Sequence, residues 1–291
     1  MPELPEAETI ARELATALTG RVLNRPIVVR ADVVHGDVRL VTTYDTPSRR
    51  DLTIGRPRND GAPGRVIDVG RRGKRVIVQM EHGARITFAL GMTGSVTIEE
   101  AGAECAAHTH LRIPIGDGER EVRFCDPRRF GGVWISNGRE PDTGRRLRPL
   151  GPEPLDVTAS EFRRIMRRRR QVKALLMDQQ ALAGMGNIYC DESLHRAGIH
   201  PRTPASELTD GRVAALRRAI RSVLRSAIRF NGSTIMDYRT PGGREGSFQL
   251  RHRVYQREGL PCRTCRTPIE RITAAGRSTH FCPRCQPPAP N

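Results

Sequence analysis

Aromatic side chains are scarce in this chain, with one Trp, four Tyr and seven Phe among 291 residues. A core built with so few must rest on Leu, Ile, Val and Ala. Lysine is scarcer still: all but two of the 49 basic residues are arginine, the exceptions being Lys74 and Lys173. Where a planar, permanently charged guanidinium serves for nearly every cation, a surviving ammonium suggests a role that arginine does not fill. Long apolar runs are missing too. None approaches the roughly 18 residues of a membrane span, and the opening MPELPEAETIARE is acidic where a signal peptide would be basic and then apolar. A soluble, cytoplasmic protein with no membrane partner is expected. Acidic residues number only 32, which leaves a net charge of +17. Basic side chains that displace condensed counterions drive binding to polyanions, so nucleic acid is the expected partner. Of seven cysteines, Cys105, Cys125 and Cys190 are scattered. An odd, scattered set argues against a disulfide framework and predicts buried thiols.

The length suits two domains on a prior of about 150 residues each. Residues 5–19 read as a helix, with Pro5 in the first turn, Ile10, Leu14, Ala17 and Leu18 on one face, and Gly20 as its stop. From about 27 to 135 short alternating strands take over, including 65–69, 75–80, 84–90 and 111–115, and suit a β-sandwich. Gly, Pro and Arg mark 137–156 as a linker. Helices follow: one behind a Thr158/Glu161 capping box, a short one over 171–180, one from the Gly184–Asn187 turn to Gly198, and the longest over 210–230. The Gly-rich stretch 236–248 reads as a mobile loop, and the Pro-rich end as a tail. The fold class is therefore α+β. The expected units are a β-sandwich domain over 1–136, the linker 137–156, a helical domain over 157–247, a cysteine module over 248–286 and a tail over 287–291.

Cys262-x2-Cys265 and Cys282-x2-Cys285, sixteen residues apart, have the spacing of a four-cysteine structural zinc site. Four thiolates close the tetrahedron and leave no open position for catalysis. The segment between can fold as a hairpin turning near Ala275-Gly276, with Arg271 and Arg277 available to phosphate. One structural zinc and no catalytic cofactor are expected.

Some features are ambiguous alone. Carboxylates and prolines in Pro2-Glu3-Leu4-Pro5-Glu6 are what any helix N-terminus favours. The GxG of Gly184–Gly186 is poor evidence for phosphate binding, and Arg167–Arg170 reads as a solvated face. In order along the chain, however, stand Met1-Pro2-Glu3-Leu4-Pro5-Glu6, Arg72-Gly73-Lys74, Leu90-Gly91-Met92-Thr93-Gly94-Ser95, Asp126-Pro127-Arg128-Arg129-Phe130-Gly131, Leu150-Gly151-Pro152-Glu153-Pro154-Leu155, Gly186-Asn187-Ile188-Tyr189 and the cysteine module. This ordered set resembles the formamidopyrimidine-DNA glycosylase (Fpg) family of bacterial repair enzymes, over essentially the whole chain.

The resemblance implies a monomeric, nucleoid-associated enzyme acting on damaged double-stranded DNA. Pro2, freed by removal of Met1, matches the nucleophile, Glu3 the general acid/base, and Glu6 a residue that assists proton handling or polarises the site electrostatically. Lys74, Asn187 and Arg277 match phosphate-gripping positions. Met92, Arg128 and Phe130, with Arg129 beside them, match the side chains that fill the gap left by an extruded base. Lys173 falls where the family often has a lysine near the lesion pocket, and the Gly184–Asn187 turn belongs to a helix-two-turns-helix unit. The chain departs from the family at Arg75, Ala89 and Gln256, and its lesion-capping loop, Gly242–Phe248, lacks the common tyrosine before the phenylalanine. The rivals are an endonuclease VIII-like enzyme for oxidised pyrimidines, a catalytically silent zinc-containing DNA-binding protein, and a ribosomal or transcription-type zinc ribbon protein, which would explain the charge and cysteines but not the N-terminus. Leu4 and the contiguous Arg128-Arg129-Phe130 favour the purine branch; intact Pro2, Glu3 and Lys74 favour an enzyme.

Overall fold

The computed structural model describes residues 2–36, 42–43, 64–136 and 147–288. Met1, residues 137–146 of the expected linker and 289–291 of the expected tail lie outside the described residues. The chain divides into two compact units, one of Met1–Pro2, Glu6–Arg148 and Thr234–Gly246, the other of Glu3–Pro5, Pro149–Ser233 and Ser247–Asn291.

The first unit begins on α1 (Leu4–Leu18), whose Ala7, Ile10, Ala11, Leu14 and Leu18 are buried at helical spacing. Eleven strands follow among the described residues: β1 (Val22–Leu23), β2 (Ile27–Val28), β3 (Val34–Gly36), β4 (Thr42–Thr43), β5 (Gly64–Arg72), β6 (Arg75–Met80), β7 (Arg85–Ala89), β8 (Ser95–Glu100), β9 (Thr109–Ile115), β10 (Arg120–Cys125) and β11 (Gly132–Ser136). The connected order β3-β11-β7-β6-β5-β1-β9-β10-β8 folds at β5. Its Gly64 and Arg65 pair with β1, whereas Val66–Arg72 pair with β6 across a register shift at Val66/Asp68. Such a bulge bends a strand and lets it serve two sheets. Inward residues alternate, as in Val76, Val78 and Met80 of β6, and one core cluster takes side chains from both sheets and α1. Phe88 and Phe124, one from each sheet, have ring centroids 6.1 Å apart. This is the expected β-sandwich.

The second unit holds α2 (Ala159–Met166), α3 (Val172–Met177), α4 (Asn187–Ala197) and α5 (Asp210–Arg229), then a hairpin of β12 (Glu270–Ala274) and β13 (Arg277–Phe281). Thr158 and Glu161 form the expected capping box on α2. Gly198 ends α4 at φ 65°, and Asn231-Gly232, at φ 57° and 77°, follow α5; these are left-handed conformations suited to a helix stop. Ile188–His195 of α4 are all buried, polar residues included. Among the described residues no helix is long and apolar enough to cross a membrane.

Three expectations are corrected. The stretch from Pro149 is built into the second unit: Gly151 N donates to Gln179 O at 2.9 Å and Ala183 N to Pro152 O at 3.0 Å. Residues 234–246, expected in the helical domain, group with the first unit, where Tyr238 joins the core and Ile98 N donates to Pro241 O. Of the three scattered thiols only Cys190 is buried; Cys105 is exposed and Cys125 half-buried.

Candidate active site and nucleic-acid interface

In the second unit the N-terminus of α4 is capped by a carboxylate brought from the start of the chain. Its N-cap, Gly186, has no side chain to offer. Glu3 supplies one: its carboxylate accepts from Ile188 N at 3.0 Å and Tyr189 N at 3.4 Å, at 1% exposure. A helix N-terminus favours a negative charge and leaves these amides unpaired otherwise. The two glycines make room. A Cβ on Gly186 would stand 2.3 Å from Glu3 Cδ, and one on Gly184, at φ +84°, 2.8 Å from a Leu4 methyl. Leu4 N also donates to Gly184 O at 3.0 Å. The GxG motif thus admits the N-terminal segment rather than a phosphate. Asn187 opens α4 and donates from Nδ2 to Ser278 O on β13 at 2.8 Å. Tyr255 stands close by; burial raises its phenol pKa, the Glu3 charge raises it further, and a hydrogen bond with Asn187 works against both.

In the first unit, Pro2 and Glu6 are buried. Tyr238 is buried against α1, where its hydroxyl reaches Glu6 O at 3.5 Å; burial, then the Glu6 charge, pushes its phenol far above the ordinary range. Lys74 sits half-buried in a two-residue turn between β5 and β6, which Gly73 permits with φ 60°. Arg71 fixes that turn to α1, donating to Gly73 O and to Glu8 Oε2, both at 2.9 Å.

The gap-filling candidates stand on two interlocked loops, 90–94 and 126–131. Asp126 is fully buried and accepts from Thr93 Oγ1 at 2.5 Å and Gly131 N at 2.7 Å. Gly91, at φ +56°, lies against 130–131 so closely that a Cβ would be 2.5 Å from Gly131 N. On this frame Met92 is half-buried, Arg128 is exposed, and Phe130 is 58% exposed with the Arg128 guanidinium 4.6 Å from its ring centre. Arg129 points elsewhere and pairs with Asp32 at 2.8 Å. The capping-loop segment is strapped to α1, with Glu13 accepting from Gly242 N at 3.0 Å and from Arg244.

Lys173 is corrected outright. It is 0% exposed, and its Nζ donates to Asp191 Oδ1 at 2.6 Å and to Thr279 Oγ1 at 2.7 Å, while Asp191 Oδ2 accepts from His280 N. This ammonium ties α3 to α4 and the hairpin and is closed to DNA. Arg277 is exposed beside the Ala275-Gly276 turn, while Arg271 is engaged by Glu258 and Ser278.

The sulfurs of Cys262, Cys265, Cys282 and Cys285 all lie within 4.8 Å of one another, with Cys265–Cys282 at 3.4 Å and Cys262–Cys285 at 3.9 Å. Zn–S bonds of about 2.3 Å place tetrahedral sulfurs roughly 3.8 Å apart, so the set fits zinc. Backbone amides of Thr264 and Cys285 approach Cys262 Sγ and Cys282 Sγ at 3.4 Å, and the hairpin runs as expected. Burial, then the Arg253 charge, lowers the His195 pKa to about 4, and its Nε2 lies 3.6 Å from Cys262 Sγ.

This architecture has known counterparts. The N-terminal domain of formamidopyrimidine-DNA glycosylase matches residues 1–133, its H2TH domain 150–239, and a zinc finger found in FPG and IleRS 259–288. The formamidopyrimidine-DNA glycosylase of Desulforamulus reducens is 40% identical over 98% of this chain and 99% of its own. The chain belongs to the formamidopyrimidine-DNA glycosylase family. It is accordingly an enzyme, a DNA glycosylase. The crystal structure of the Thermus thermophilus Fpg protein is 38% identical with a TM-score of 0.83, covering 99% of this chain and 100% of that one. Lactococcus lactis Fpg in complex with DNA containing an abasic site is 28% identical with a TM-score of 0.81, covering 98% and 99%. Within the Fpg frame, several contributors were not singled out in advance: Thr93 and Asp126 locking the loops, Glu13 anchoring the strap, Tyr255 beside Glu3. The one available signal was a glycine at an N-cap, which leaves the capping group to come from elsewhere in the chain.

Proposed function

We propose that this enzyme removes oxidised purines, 8-oxoguanine and formamidopyrimidines, from duplex DNA in base excision repair and then cleaves the strand, with Pro2 as nucleophile once Met1 is gone. The observation that carries this is the fixed carboxylate of Glu3. An N-terminal acid merely favouring its own helix would face solvent; this one is buried at the head of α4 beside Tyr255, with Gly186 keeping the space clear.

The chemistry follows from the groups present. An α-amine titrates near 8, so a useful fraction of the Pro2 nitrogen is neutral at physiological pH. It attacks the sugar C1′, the bond from C1′ to the damaged base breaks, and the base leaves with its electron pair. Glu3, held as a carboxylate by two amides, takes the proton released by the amine and returns it to the ring oxygen as the sugar opens. Because proline is a secondary amine, the resulting iminium has no N–H to lose and stays cationic. That cation draws the electrons of the C2′–H bond, expelling the 3′ phosphate, and a second elimination expels the 5′ phosphate. Lys74, Asn187 and Arg277 grip backbone phosphates, while Met92, Arg128 and Phe130 occupy the vacated stack. No cofactor beyond structural zinc is needed, and the monomer suffices. The Lactococcus lactis protein has been solved with DNA containing Fapy-dG and with DNA containing an oxidised pyrimidine, so both lesion classes belong in the assay.

The test is a borohydride trap. Protein shown by mass spectrometry to begin at Pro2 is mixed with duplex containing 8-oxoguanine opposite cytosine. A covalent adduct and a nicked strand are expected, and the adduct should vanish in Pro2→Gly. Absence of any adduct, with oxidised-pyrimidine and abasic duplexes also inert, would overturn the reading in favour of a retained fold that only binds.

A further inference from the structure

Arginine is abundant throughout this chain, and several in the described residues are neutralised: Arg12, Arg71, Arg123, Arg129, Arg163, Arg170 and Arg271 each have an acid within 4.0 Å. One region gathers several that have no such acid. Along α5, Arg217, Arg218, Arg221, Ser222 and Arg225 line an open hollow of about 460 Å³. Ser222 also lines a second hollow of about 200 Å³, where Arg196, Arg251, Arg253 and Arg263 gather round Ser226, Val223 and Phe248. Ser222 lines both, so the two hollows adjoin along α5 in the second unit and together form an arginine track. Among the described residues, none of these eight arginines has an ion-pair partner.

Like charges at i, i+4 and i+8, as in Arg217, Arg221 and Arg225, repel one another on a helix. The only acid of α5 is Asp210 at its start, which pairs with Arg163. Glu192 lines the smaller hollow, but its carboxylate is spent on the amides of Arg253, Val254 and Tyr255 at 2.9–3.0 Å. Several of the cations are held in place: Arg251 stacks on Phe230 at 3.8 Å, Arg263 donates to Leu250 O and Arg217 to Val157 O. Nε of Arg221 is buried and finds no acceptor among the described residues. Fixed, unneutralised guanidinium groups interleaved with hydroxyls suit phosphate oxygens.

We propose that this track binds the sugar–phosphate backbone of a second segment of nucleic acid. An acidic protein fits less well, because the larger hollow offers only arginine and serine and no apolar side chain to anchor a partner. The track begins at the far end of α4 from the Glu3 cap: Arg196 lies nine residues along that helix from Asn187, roughly 13 Å at 1.5 Å per residue. Engaging a second segment while the first is held would let the enzyme pass between duplexes without release.

The experiment counts duplexes. Zinc-loaded, full-length protein is titrated at low salt with a short lesion-bearing duplex, and stoichiometry is read by native mass spectrometry. Two duplexes per wild-type chain are expected, and one for Arg218→Ser/Arg221→Ser/Arg225→Ser, which should incise the lesion at the wild-type rate and thereby show that it folds. Arg251→Ser/Arg253→Ser/Arg263→Ser should weaken the second duplex tenfold or more. The single Arg221→Ser should lower the slope of log K against log salt for that duplex by about 0.9, one phosphate contact. One duplex on wild type with normal incision, or two on the triple α5 variant, overturns the proposal. One on wild type and none on the α5 variant would sink the catalytic DNA site instead and leave the track standing. Displacement of the second duplex by polyglutamate as readily as by DNA of equal charge overturns the nucleic-acid assignment in favour of an acidic partner.

Discussion

In the first unit the buried cluster is almost wholly Leu, Ile, Val and Ala, with Phe88, Phe124 and Tyr238 as its only rings. Both units bury charges, Glu121, Arg123 and Asp126 in the first among them, but in the second Lys173, Asp191 and Glu192, at most 3% exposed, each make hydrogen bonds between elements distant in sequence. The difference has a physical origin. A sandwich closes two broad apolar faces on each other, and burial is non-directional, so any well-filled set of aliphatics holds it. The second unit has an aliphatic core of its own, with Leu175, Leu182, Leu216 and Leu224 fully buried, but it must also seat a small hairpin and short helices at defined angles. Directional bonds to buried charges do that, at the risk that each one left unpaired is expensive.

Removing one such tie gives the sharpest contrast. Lys173→Met leaves Asp191 buried without its cation and should cost about 3–5 kcal/mol. Ile86→Val, at an equally buried site of the first unit, should cost only about 0.5–1.5 kcal/mol. Both are read from urea unfolding. The double variant Lys173→Met/Asp191→Asn removes the stranded charge and should be more stable than the single. If Lys173→Met proved as mild as Ile86→Val, the second unit would not rest on its polar ties.

The same contrast decides what could be read from the sequence. The strands at 65–69, 75–80 and 84–90 declare themselves by alternation, and α5 by its period, because an apolar face leaves a periodic trace. The four cysteines announce their metal by spacing. Lys173 carried a signal, as one of only two lysines, but not its meaning: rarity does not say whether an ammonium faces a phosphate or a buried aspartate. Glu13 carried none. It is an ordinary helical glutamate whose partners, Gly242 and Arg244, lie 229 and 231 residues away. The resemblance to Fpg proteins supplied the candidate list; only coordinates separate Arg128, free to stack on Phe130, from Arg129, held by Asp32.

Two neighbouring glycines sharpen the comparison further. Gly186→Ala pushes on the far end of a flexible side chain, so Glu3 can swing aside and the fold loses little more than a cap, about 1 kcal/mol. Gly184→Ala presses on buried Leu4 from a backbone with φ +84° and should destabilise more. Activity should run the other way. Displacing the acid/base predicts a loss of about a hundredfold or more in base removal by Gly186→Ala, against a smaller loss for the Gly184 variant assayed well below its melting temperature. Equal losses of activity in the two would show that position 186 serves packing alone.

The smallest effect belongs to the strap of the first unit, where a charge works at a half-open surface. Burial tends to raise the Glu13 pKa, but the Arg244 guanidinium and the amide of Gly242 outweigh it and hold the carboxyl below its ordinary range. A carboxyl lowered in the folded state contributes stability that is fully present above its unfolded pKa, near 4.3, and is lost as pH falls through the folded value. Arg244 is 68% exposed, so the contribution is under about 1 kcal/mol. Glu13→Gln should therefore barely move the melting temperature at neutral pH, while amide exchange at Gly242 speeds up there. Below the folded pKa of Glu13 the wild type should lose the same protection and converge on the variant. Protection at Gly242 that persists in wild type at that pH would mean the strap is held by its backbone bonds, Ile98 to Pro241 and Thr240 to Arg244, and that the ion pair is incidental.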